Sequence, residues 1–425
     1  MSTTIKSNTS GETGPKRVVI IGGGPAGVQT YHHLHALLAK SSVTTTLTLV
    51  SVSEAYFNNS GAPRAIANPK IPVGKLLRPL SQLFVSANGK DLATRGNVTG
   101  RLVIAKVTEA WDQYVRTTGS ADPDDAVILY DFLVVALGSR YSQPFKGQPG
   151  VPQNTIDYIG QVAKRVAAPE THRILILGCG IVAVETAAEI KSAHPDKTVT
   201  IAGPQLLATA PVAFAERVRS ILAKLQVNVI EGVTADTAGI LVNASSTTAS
   251  EYPISKPNMP VSLTPIVGAP PDTLTCLVAD MVFTSTGIEP NSDPFRLCAS
   301  WPLTPRGYLR VSSTMEVVGH DNVFALGDIC EVEPASTYAR KLATYASQQA
   351  QVVAKNVAAV VEGGVAKEKW KVPEDFYALM ALGPDYSAAY VPGMKMGLGL
   401  ANLWVKQAKA KDGGLTLAMY LKDSM

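Results

Sequence analysis

The sequence predicts an α/β protein in which one strand–loop–helix–strand unit occurs twice along a chain of 425 residues. The first unit begins with the β-branched run Arg17–Ile21 and continues through a glycine-rich loop, a helical segment and a second apolar run at 47–50. The same succession recurs from Arg173 and closes with an apolar run at 198–201. Short apolar runs of this kind are typical of strands buried on both faces of a parallel sheet. The repeat therefore predicts two Rossmann-like domains.

Composition and charge exclude several classes of protein. Hydrophobic residues make up 46% and charged residues 17% of the chain, as in a globular protein, and the length favours more than one domain. The formal net charge of +4 is small and dispersed, so nucleic-acid binding is not expected. Residues 1–14 lack the apolar core of a secretion signal, and no run reaches ~18 apolar residues. We expect a cytoplasmic protein that is not secreted.

The loop after the first strand has the residues that a dinucleotide pyrophosphate requires. Gly22 permits a tight turn, Gly24 lets the backbone approach phosphate oxygens, and Gly27 permits close packing of helix on strand. Pro25 and Ala26 stand at the helix start, where free N–H groups and the helix dipole favour negative charge. Because a buried strand precedes this loop and a helix follows it, we predict a dinucleotide site here.

The second loop has the same pattern with alanine in the third position. Gly178, Gly180 and Ala183 predict a second dinucleotide site. Cys179 lies inside this loop, and since no other cysteine is near it in sequence, we interpret it as a packing residue rather than a redox thiol. Glu185 follows at the start of the helix, and we expect its carboxylate to point toward the bound nucleotide.

Both units lack the acidic residue that ordinarily binds a ribose at the end of the second strand. The first unit has Ser51 there, which replaces one hydrogen bond of a carboxylate but not a bidentate pair. The second has the run 202–204, Ala-Gly-Pro, with neither an acid nor an arginine. The sequence therefore does not distinguish NADH from NADPH.

Cysteine and histidine spacing gives no indication of a metal site. His32, His33 and His35 lie close together on the first predicted helix, but adjacent positions face different sides, so we interpret them as helix surface. The cysteines form neither a CxxC pair nor a metal-ligand pattern. They are Cys179, Cys276, Cys298 and Cys330. We expect no metal and no local redox dithiol.

The spacing of the two units predicts a discontinuous first domain. We assign residues 16–147 and 285–365 to it, 148–284 to the second domain and 366–425 to a small α+β C-terminal element. Residues 248–272 are rich in proline, serine and threonine, and we interpret them as an irregular surface excursion.

Residues 398–411 begin apolar and end basic, with Trp404 at the junction. This pattern is typical of a helix that lies on a membrane surface or at a quinone entrance. It also suits a helix that docks its apolar face on the protein itself, the interpretation that we slightly favour. A peripheral membrane contact stays open on this basis, and the sequence does not indicate an oligomeric state.

Five motifs in this order resemble those of the pyridine-nucleotide-dependent flavoprotein oxidoreductases. They are GGGPAG at 22–27, VVALG at 134–138, GCGIVAVE at 178–185, TGIEPN at 286–291 and FALGD at 324–328. Within these enzymes the chain is most similar to homologues of apoptosis-inducing factor, including their ferroptosis-suppressor and fungal branches. Residues 59–65 resemble the fungal branch in particular, and the resemblance runs from about residue 16 to the C-terminus.

The resemblance implies roles for individual residues. It places Asp328 at the ribityl chain and pyrophosphate of FAD, the Val107 backbone at the adenine, and residues 60–64 beside the flavin. Lys341 matches a lysine near the isoalloxazine. Lys341 and Glu185 are the two residues that we expect to take part in catalysis. The implied cofactor-binding residues are Gly22, Gly24, Pro25, Ala26, Gly27, Ser51, Arg64, Val107, Gly138 and Asp328 for FAD, and Gly178, Gly180 and Ala183 for the nicotinamide nucleotide.

The function that the resemblance implies is that of an FAD-dependent oxidoreductase taking hydride from NAD(P)H. Since no dithiol is present, we expect the electrons to pass directly to a small-molecule acceptor, a quinone first and oxygen second. Two alternatives stay open. One is an oxidase or dehydrogenase of a specialised metabolite that uses FAD without NAD(P)H, and the other is a non-enzymatic protein whose interactions are gated by nucleotide.

Overall fold

The structure, a computed structural model, describes most of the chain. The residues described are 14–86, 88–141, 144–235, 258–269, 275–333 and 341–390. The segment 398–411, for which a membrane-surface or docking helix is predicted, lies outside them.

The described residues contain six α-helices and 24 β-strands. The helices are α1 (Pro25–Leu38), α2 (Ala62–Ala67), α3 (Pro152–Ala167), α4 (Ile181–Ala193), α5 (Val212–Lys224) and α6 (Ala343–Val361). The strands are β1 (Lys16–Ile21), β2 (Thr45–Ser51), β3 (Ala55–Phe57), β4 (Leu77–Pro79), β5 (Thr94–Arg95), β6 (Val98–Ile104), β7 (Lys106–Trp111), β8 (Tyr114–Thr118), β9 (Val127–Leu129), β10 (Phe132–Val135), β11 (Ser139–Tyr141), β12 (Arg173–Leu177), β13 (Thr198–Ala202), β14 (Asn228–Ile230), β15 (Val233–Ala235), β16 (Met259–Pro265), β17 (Cys276–Ala279), β18 (Met281–Thr284), β19 (Ile288–Pro290), β20 (Leu309–Val311), β21 (Val323–Ala325), β22 (Cys330–Val332), β23 (Ala378–Leu382) and β24 (Tyr386–Tyr390).

The first glycine-rich loop belongs to a six-stranded sheet with the order β21-β10-β1-β2-β6-β5. All neighbours run parallel except β5 and β6. Its central strands are buried, as their β-branched composition predicts. The chain leaves this sheet after β10 and returns to it only at β21, beside which α6 packs against α1. The carboxyl ends of β1, β10 and β21 therefore meet at one edge.

The second loop belongs to a parallel sheet with the order β14-β13-β12-β18. The α/β class with two Rossmann-like units is thus confirmed. A further antiparallel sheet, β15-β16-β17, adjoins this unit. The prediction of an irregular excursion over 248–272 is wrong for residues 259–265, which form β16. Val261 and Leu263 are buried between exposed neighbours, the period-two pattern of a half-buried strand, and the prolines around them obscured it.

The C-terminal hairpin β23–β24 packs on α4 and α5 of the second unit. The ring of Phe214 on α5 lies 5.2 Å from that of Phe376 and 6.1 Å from that of Tyr390, measured between centroids. Helix α2, from the first part of the chain, also contacts α4 and α3. Because these contacts join all three predicted parts, the boundaries at 147, 284 and 365 stay a prediction.

Each of the two units contains an ion pair of the same kind, between an arginine and an aspartate, that no sequence motif indicates. The backbone N–H of Arg17 donates to Asp131 over 2.7 Å, and its guanidinium donates to the same carboxylate over 2.7 Å. Arg173 binds Asp280 in the same way, with both distances 2.8 Å. Each arginine lies in the first strand of its unit and each aspartate directly precedes the neighbouring strand. The pairs therefore set the register of β1 with β10 and of β12 with β18.

Replacement of Asp280 by asparagine is expected to lower the thermal unfolding midpoint near neutral pH. The pKa of Asp280 lies below its ordinary value because Arg173 donates to the carboxylate, which outweighs the opposing effect of burial, and backbone N–H groups add to this. A carboxyl whose pKa is lower in the folded than in the unfolded protein stabilises the fold above the unfolded pKa, and the stabilisation is lost as the pH falls. The deficit of the variant should therefore shrink below about pH 4.

Circular dichroism melts between about pH 3 and pH 8 test this expectation. Asp131→Asn is the matched control, and its effect should be smaller because the Asp131 side chain is 30% exposed against 3% for Asp280. A deficit for Asp280→Asn that does not change with pH would contradict the assignment.

Candidate functional site

At two positions of the first glycine-rich loop, neighbouring backbone occupies the space that a side chain would need. Gly22 has a φ of +118° and donates its N–H to Val50 O over 2.8 Å. A Cβ there would lie 2.2 Å from Ala136 O, and one at Gly27 would lie 1.8 Å from Gly22 O. A Cβ at Gly24, by contrast, would meet nothing within 4 Å. The turn is thus tight on the protein side and open where a ligand approaches.

The start of α1 suits an anion. Gly24 precedes the helix, no described side chain caps it, and the first turn has no acidic residue. Pro25 at the first position has no N–H to leave unpaired, and Ala26 beside it is buried. The remaining free N–H groups and the helix dipole favour negative charge. The residues present therefore fit a dinucleotide pyrophosphate.

Asp328 follows β21 and reaches the same edge of the sheet. A Cβ at Gly327 would lie 3.2 Å from Ala26 Cβ, so this turn packs against the first turn of α1. Asp328 Oδ2 accepts a hydrogen bond of 2.6 Å from Ser139 Oγ. It also lies 3.7 Å from Lys146 Nζ. The structure thus brings Asp328 close to the first loop and places two donors, Ser139 and Lys146, at its carboxylate, while its role toward FAD stays a prediction.

Three residues around Asp328 were missed by the sequence analysis. Ser139 and Lys146 contact its carboxylate, and their own polar atoms are 3.4 Å apart. Gln349 of α6 accepts a hydrogen bond of 2.8 Å from the Gly327 N–H and so fixes the turn that carries Asp328. Ser139 follows the VVALG run directly, which is a usable signal, whereas Lys146 and Gln349 belong to no motif.

Ser51 lies beside the loop but uses its hydroxyl locally. Its Oγ donates to Ser53 O over 2.7 Å and accepts from Ser53 N over 3.2 Å. A Cβ at Gly23 would lie 2.3 Å from this Oγ, which shows how closely loop and strand approach. Val107 is buried in β7, just past the strand that pairs with Ser51. Gly138 has a φ of +65° with open space around it. Their roles toward FAD stay predictions.

Lys341 shares a cavity with Asp328. Its Nζ donates to Cys330 O and lies 4.8 Å from the centroid of the Tyr308 ring. The lining combines a polar side with an apolar and aromatic side. It consists of Gly327, Asp328, Cys330, Val332, Lys341, Leu342, Tyr345, Ala346, Gln349 and Trp370. Lys341 and Asp328 thus line one cavity, while a catalytic role for Lys341 stays a prediction.

Helix α4 carries two buried carboxylates with different contacts. Glu185 Oε1 accepts from the backbone N–H of Ala381 in β23 over 2.9 Å, so this contact is with the C-terminal hairpin. Glu189, one turn later, is ion-paired with Arg64 of α2, with 2.6 Å between Nη2 and Oε1. Both contacts join α4 to a neighbouring element: Arg64 connects it to α2, and Glu185 connects it to β23. The roles of Arg64 toward the flavin and of Glu185 toward the nucleotide stay predictions.

The second glycine-rich loop repeats the geometry of the first. Gly178 has a φ of +114°, and a Cβ there would lie 2.2 Å from Ser285 O. A Cβ at Gly180 would meet nothing within 4 Å, and Ala183 is fully buried against the sheet. The first turn of α4 has no acidic residue. The residues present fit a second dinucleotide pyrophosphate.

The cysteines are all described and all are free thiols. Burial, with a smaller contribution from the negative charge of Glu231, raises the pKa of Cys179 to about 12. Burial likewise raises the pKa of Cys330 to about 11. A thiol that stays protonated at neutral pH is a poor nucleophile. This agrees with the interpretation of Cys179 as a packing residue.

His35 departs from the predicted helix surface, since it is buried and its Nε2 lies 2.9 Å from Ala93 O. Within the described ranges no group of three or more histidine, cysteine, aspartate or glutamate side chains could hold a metal ion. Over those same ranges, no helix combines the length and apolarity that crossing a membrane requires.

Replacement of Asp328 by alanine is expected to lower FAD affinity by about ten- to 100-fold, because a charged hydrogen-bonding partner is lost beside the first loop. The ratio of flavin to protein absorbance in the purified variant measures this loss. Asp321→Ala is the matched control, since Asp321 is exposed and precedes β21. Full flavin content in Asp328→Ala would contradict the assignment.

Comparison with known proteins adds an independent line of support. The pyridine nucleotide-disulphide oxidoreductase family matches residues 16–350. An oxidoreductase of Pestalotiopsis fici named ptaL is 29% identical over 364 residues, covering 82% of this chain and 84% of the relative. Human ferroptosis suppressor protein 1 is 25% identical over 413 residues, covering 96% and 95%.

The resemblance to homologues of apoptosis-inducing factor is confirmed by such a homologue, homolog B of Dictyostelium discoideum, which is 26% identical over 400 residues and covers 90% of this chain and 91% of the relative. The fold is shared with the structure of NDH2 from Plasmodium falciparum in complex with NADH, with a TM-score of 0.64 at 13% identity over 92% of this chain and 93% of that one. This chain therefore belongs to the pyridine nucleotide-disulphide oxidoreductase family and is an FAD-dependent NAD(P)H oxidoreductase with FAD and NAD(P)H as its cofactors.

Proposed function

We propose that this oxidoreductase passes electrons from NAD(P)H directly to a quinone-like small molecule, with oxygen as a second acceptor. The cysteines carry the proposal. All four are free, and the buried pair Cys179 and Cys330 has raised pKa values. Since neither a disulfide nor a reactive thiol pair is available, the acceptor has to take its electrons without a thiol relay.

FAD, when bound, would supply the redox chemistry that connects the nicotinamide to the acceptor. The loops at Gly22 and Gly178 hold the two dinucleotides by their backbone N–H groups. Asp328 anchors FAD with a carboxylate that Ser139 orients. Lys341 brings a positive charge to the same cavity, where it stabilises developing negative charge.

Anaerobic spectroscopy tests the proposal. The purified yellow protein is mixed with NADH or NADPH, and the visible flavin band is followed. Bleaching by at least one nucleotide is expected, followed by rapid recovery of the band on addition of a short-chain ubiquinone and slower recovery with air. If neither nucleotide bleaches the flavin, NAD(P)H is not the donor, and oxidation of a metabolite becomes the better proposal.

A further inference from the structure

The acid that the second unit lacks in sequence is supplied in space by the neighbouring strand. In the parallel pair of β13 and β14, Ala202 lies opposite Ile230. Glu231 therefore follows β14 beside Gly203, the position at which a ribose-binding acid ordinarily stands. Gly203 N donates to Ile230 O over 3.0 Å, which fixes this alignment.

Contacts of Glu231 tie it to the second glycine-rich loop. Its Oε1 accepts from Leu206 N over 2.6 Å. The next residue, Leu207, donates its N–H to Cys179 O over 2.9 Å. The segment that follows β13 is thus held between Glu231 and the loop at Cys179. The carboxylate thus lies at the carboxyl end of the sheet, beside Gly203.

Glu231 and Glu216 together carry more negative charge than the one arginine between them, Arg219, neutralises. Burial alone would raise the pKa of Glu231, but hydrogen bonds from Arg219 and from Leu206 N outweigh it and lower the pKa, so the group is ionised. Arg219 Nη1 lies 2.6 Å from Glu231 Oε2, and its Nε donates to Glu216 over 3.3 Å. One arginine is therefore shared by two carboxylates. Both charges of this pair reach the loop: burial raises the pKa of Cys179, Glu231 adds to that rise, and Arg219 opposes it with a smaller effect.

We infer that Glu231 makes this site selective for NADH over NADPH, an inference that rests on the proposed use of a nicotinamide nucleotide at the second loop. The adenosine ribose of a nucleotide on a Rossmann unit lies at the end of the second strand, here at Gly203. A free 2′-hydroxyl is neutral and donates to a carboxylate. A 2′-phosphate carries nearly two negative charges and is repelled by one.

Arg219 is the competing candidate, because an arginine near this position accommodates a 2′-phosphate in NADPH-binding proteins. In this structure its guanidinium is already bound by Glu231 and Glu216. Binding of a 2′-phosphate through Arg219 would require breaking the shorter of these pairs and leaving Glu231 next to the phosphate. The geometry therefore favours the hydroxyl.

Calorimetric titration of the flavin-loaded protein tests the inference without relying on turnover. The ligands are ADP-ribose and 2′-phospho-ADP-ribose, which differ only in the phosphate. The parent protein should bind ADP-ribose at least about tenfold more tightly. In Glu231→Gln, which keeps an acceptor for Leu206 N, this preference should fall by about tenfold.

Glu216→Gln is the matched control. This substitution removes the other carboxylate that pairs with Arg219, and the Glu216 side chain is 59% exposed. The variant should therefore keep the parent's preference for ADP-ribose. Equal affinity of the parent protein for both ligands would overturn the inference whatever the stability of the variants. So would an unchanged preference in Glu231→Gln, or a selective loss of 2′-phospho-ADP-ribose binding in Arg219→Ala.

Failure of the proposed function gives a different result. In that case neither ligand binds and neither NADH nor NADPH bleaches the flavin. Bleaching by both nucleotides, with equal affinity for both ligands, overturns only the selectivity of Glu231.

Discussion

Replacement of Gly22 by alanine is expected to abolish FAD binding and to destabilise the protein by about 3 kcal/mol or more. The added Cβ would lie 2.2 Å from Ala136 O and 2.5 Å from Ala136 C, in backbone that is held in place because Ala136 N donates to Ile21 O over 2.8 Å. The φ of +118° is in addition a conformation that alanine rarely adopts. A loss of this size is a large part of the stability of an ordinary domain.

Gly24→Ala separates folding from cofactor binding. Gly24 has a φ of −81°, and its Cβ would meet no protein atom within 4 Å. The fold should therefore tolerate alanine, while the methyl group occupies the face that the pyrophosphate approaches. Denaturation midpoints and flavin content are measured for both variants. Stable, fully yellow Gly22→Ala protein, or full flavin content in Gly24→Ala, would contradict the assignment of this loop.

Replacement of Glu189 by glutamine is expected to destabilise the protein by about 3 kcal/mol, because it removes the carboxylate that is ion-paired with the buried Arg64 guanidinium. The two side chains are 13% and 8% exposed and approach to 2.6 Å. They join α2 to α4 between parts of the chain that are far apart in sequence. Urea denaturation of the variant and the parent measures the effect.

The double replacement Arg64→Met with Glu189→Leu should recover most of this loss, since a buried ion pair is often replaceable by apolar residues of similar volume. Glu368→Gln is the control for an exposed pair. Its partner Lys355 lies 3.4 Å away with both side chains more than half exposed, so at most about 1 kcal/mol is expected. Equal effects of Glu189→Gln and Glu368→Gln would show that burial does not matter here.

Much of the fold could be predicted because local sequence and tertiary structure agree in the two repeated units. Four consecutive apolar residues, a glycine-rich turn and a helix have few other ways to pack, and Gly22 and Gly178 indeed adopt a positive φ against a neighbouring strand. Strand β16 was missed for the opposite reason. Its alternation is short and contains prolines, which ordinarily indicate a loop.

The candidate site was predictable where a residue follows a buried strand in a recognisable motif. Asp328 is of this kind, because a residue after a strand of a parallel sheet must reach the carboxyl edge where ligands bind. Lys146 and Gln349 were not predictable, since each arrives from a separate element and has no motif around it. Glu185 was predicted to face the nucleotide, and only the packing of β23 on α4 revealed its contact with Ala381 N.

Residues adjacent in the chain were enough to predict the two dinucleotide-binding units, the lack of a local dithiol and the membership of a flavoprotein family. The charge pairs across that framework became visible in the folded chain alone. Arg64 of α2 pairs with Glu189 of α4, and Glu231 lies beside Gly203 because β14 is the neighbour of β13 in the sheet. Contacts of this kind depend on strand order and helix packing, which place residues side by side irrespective of their separation in sequence.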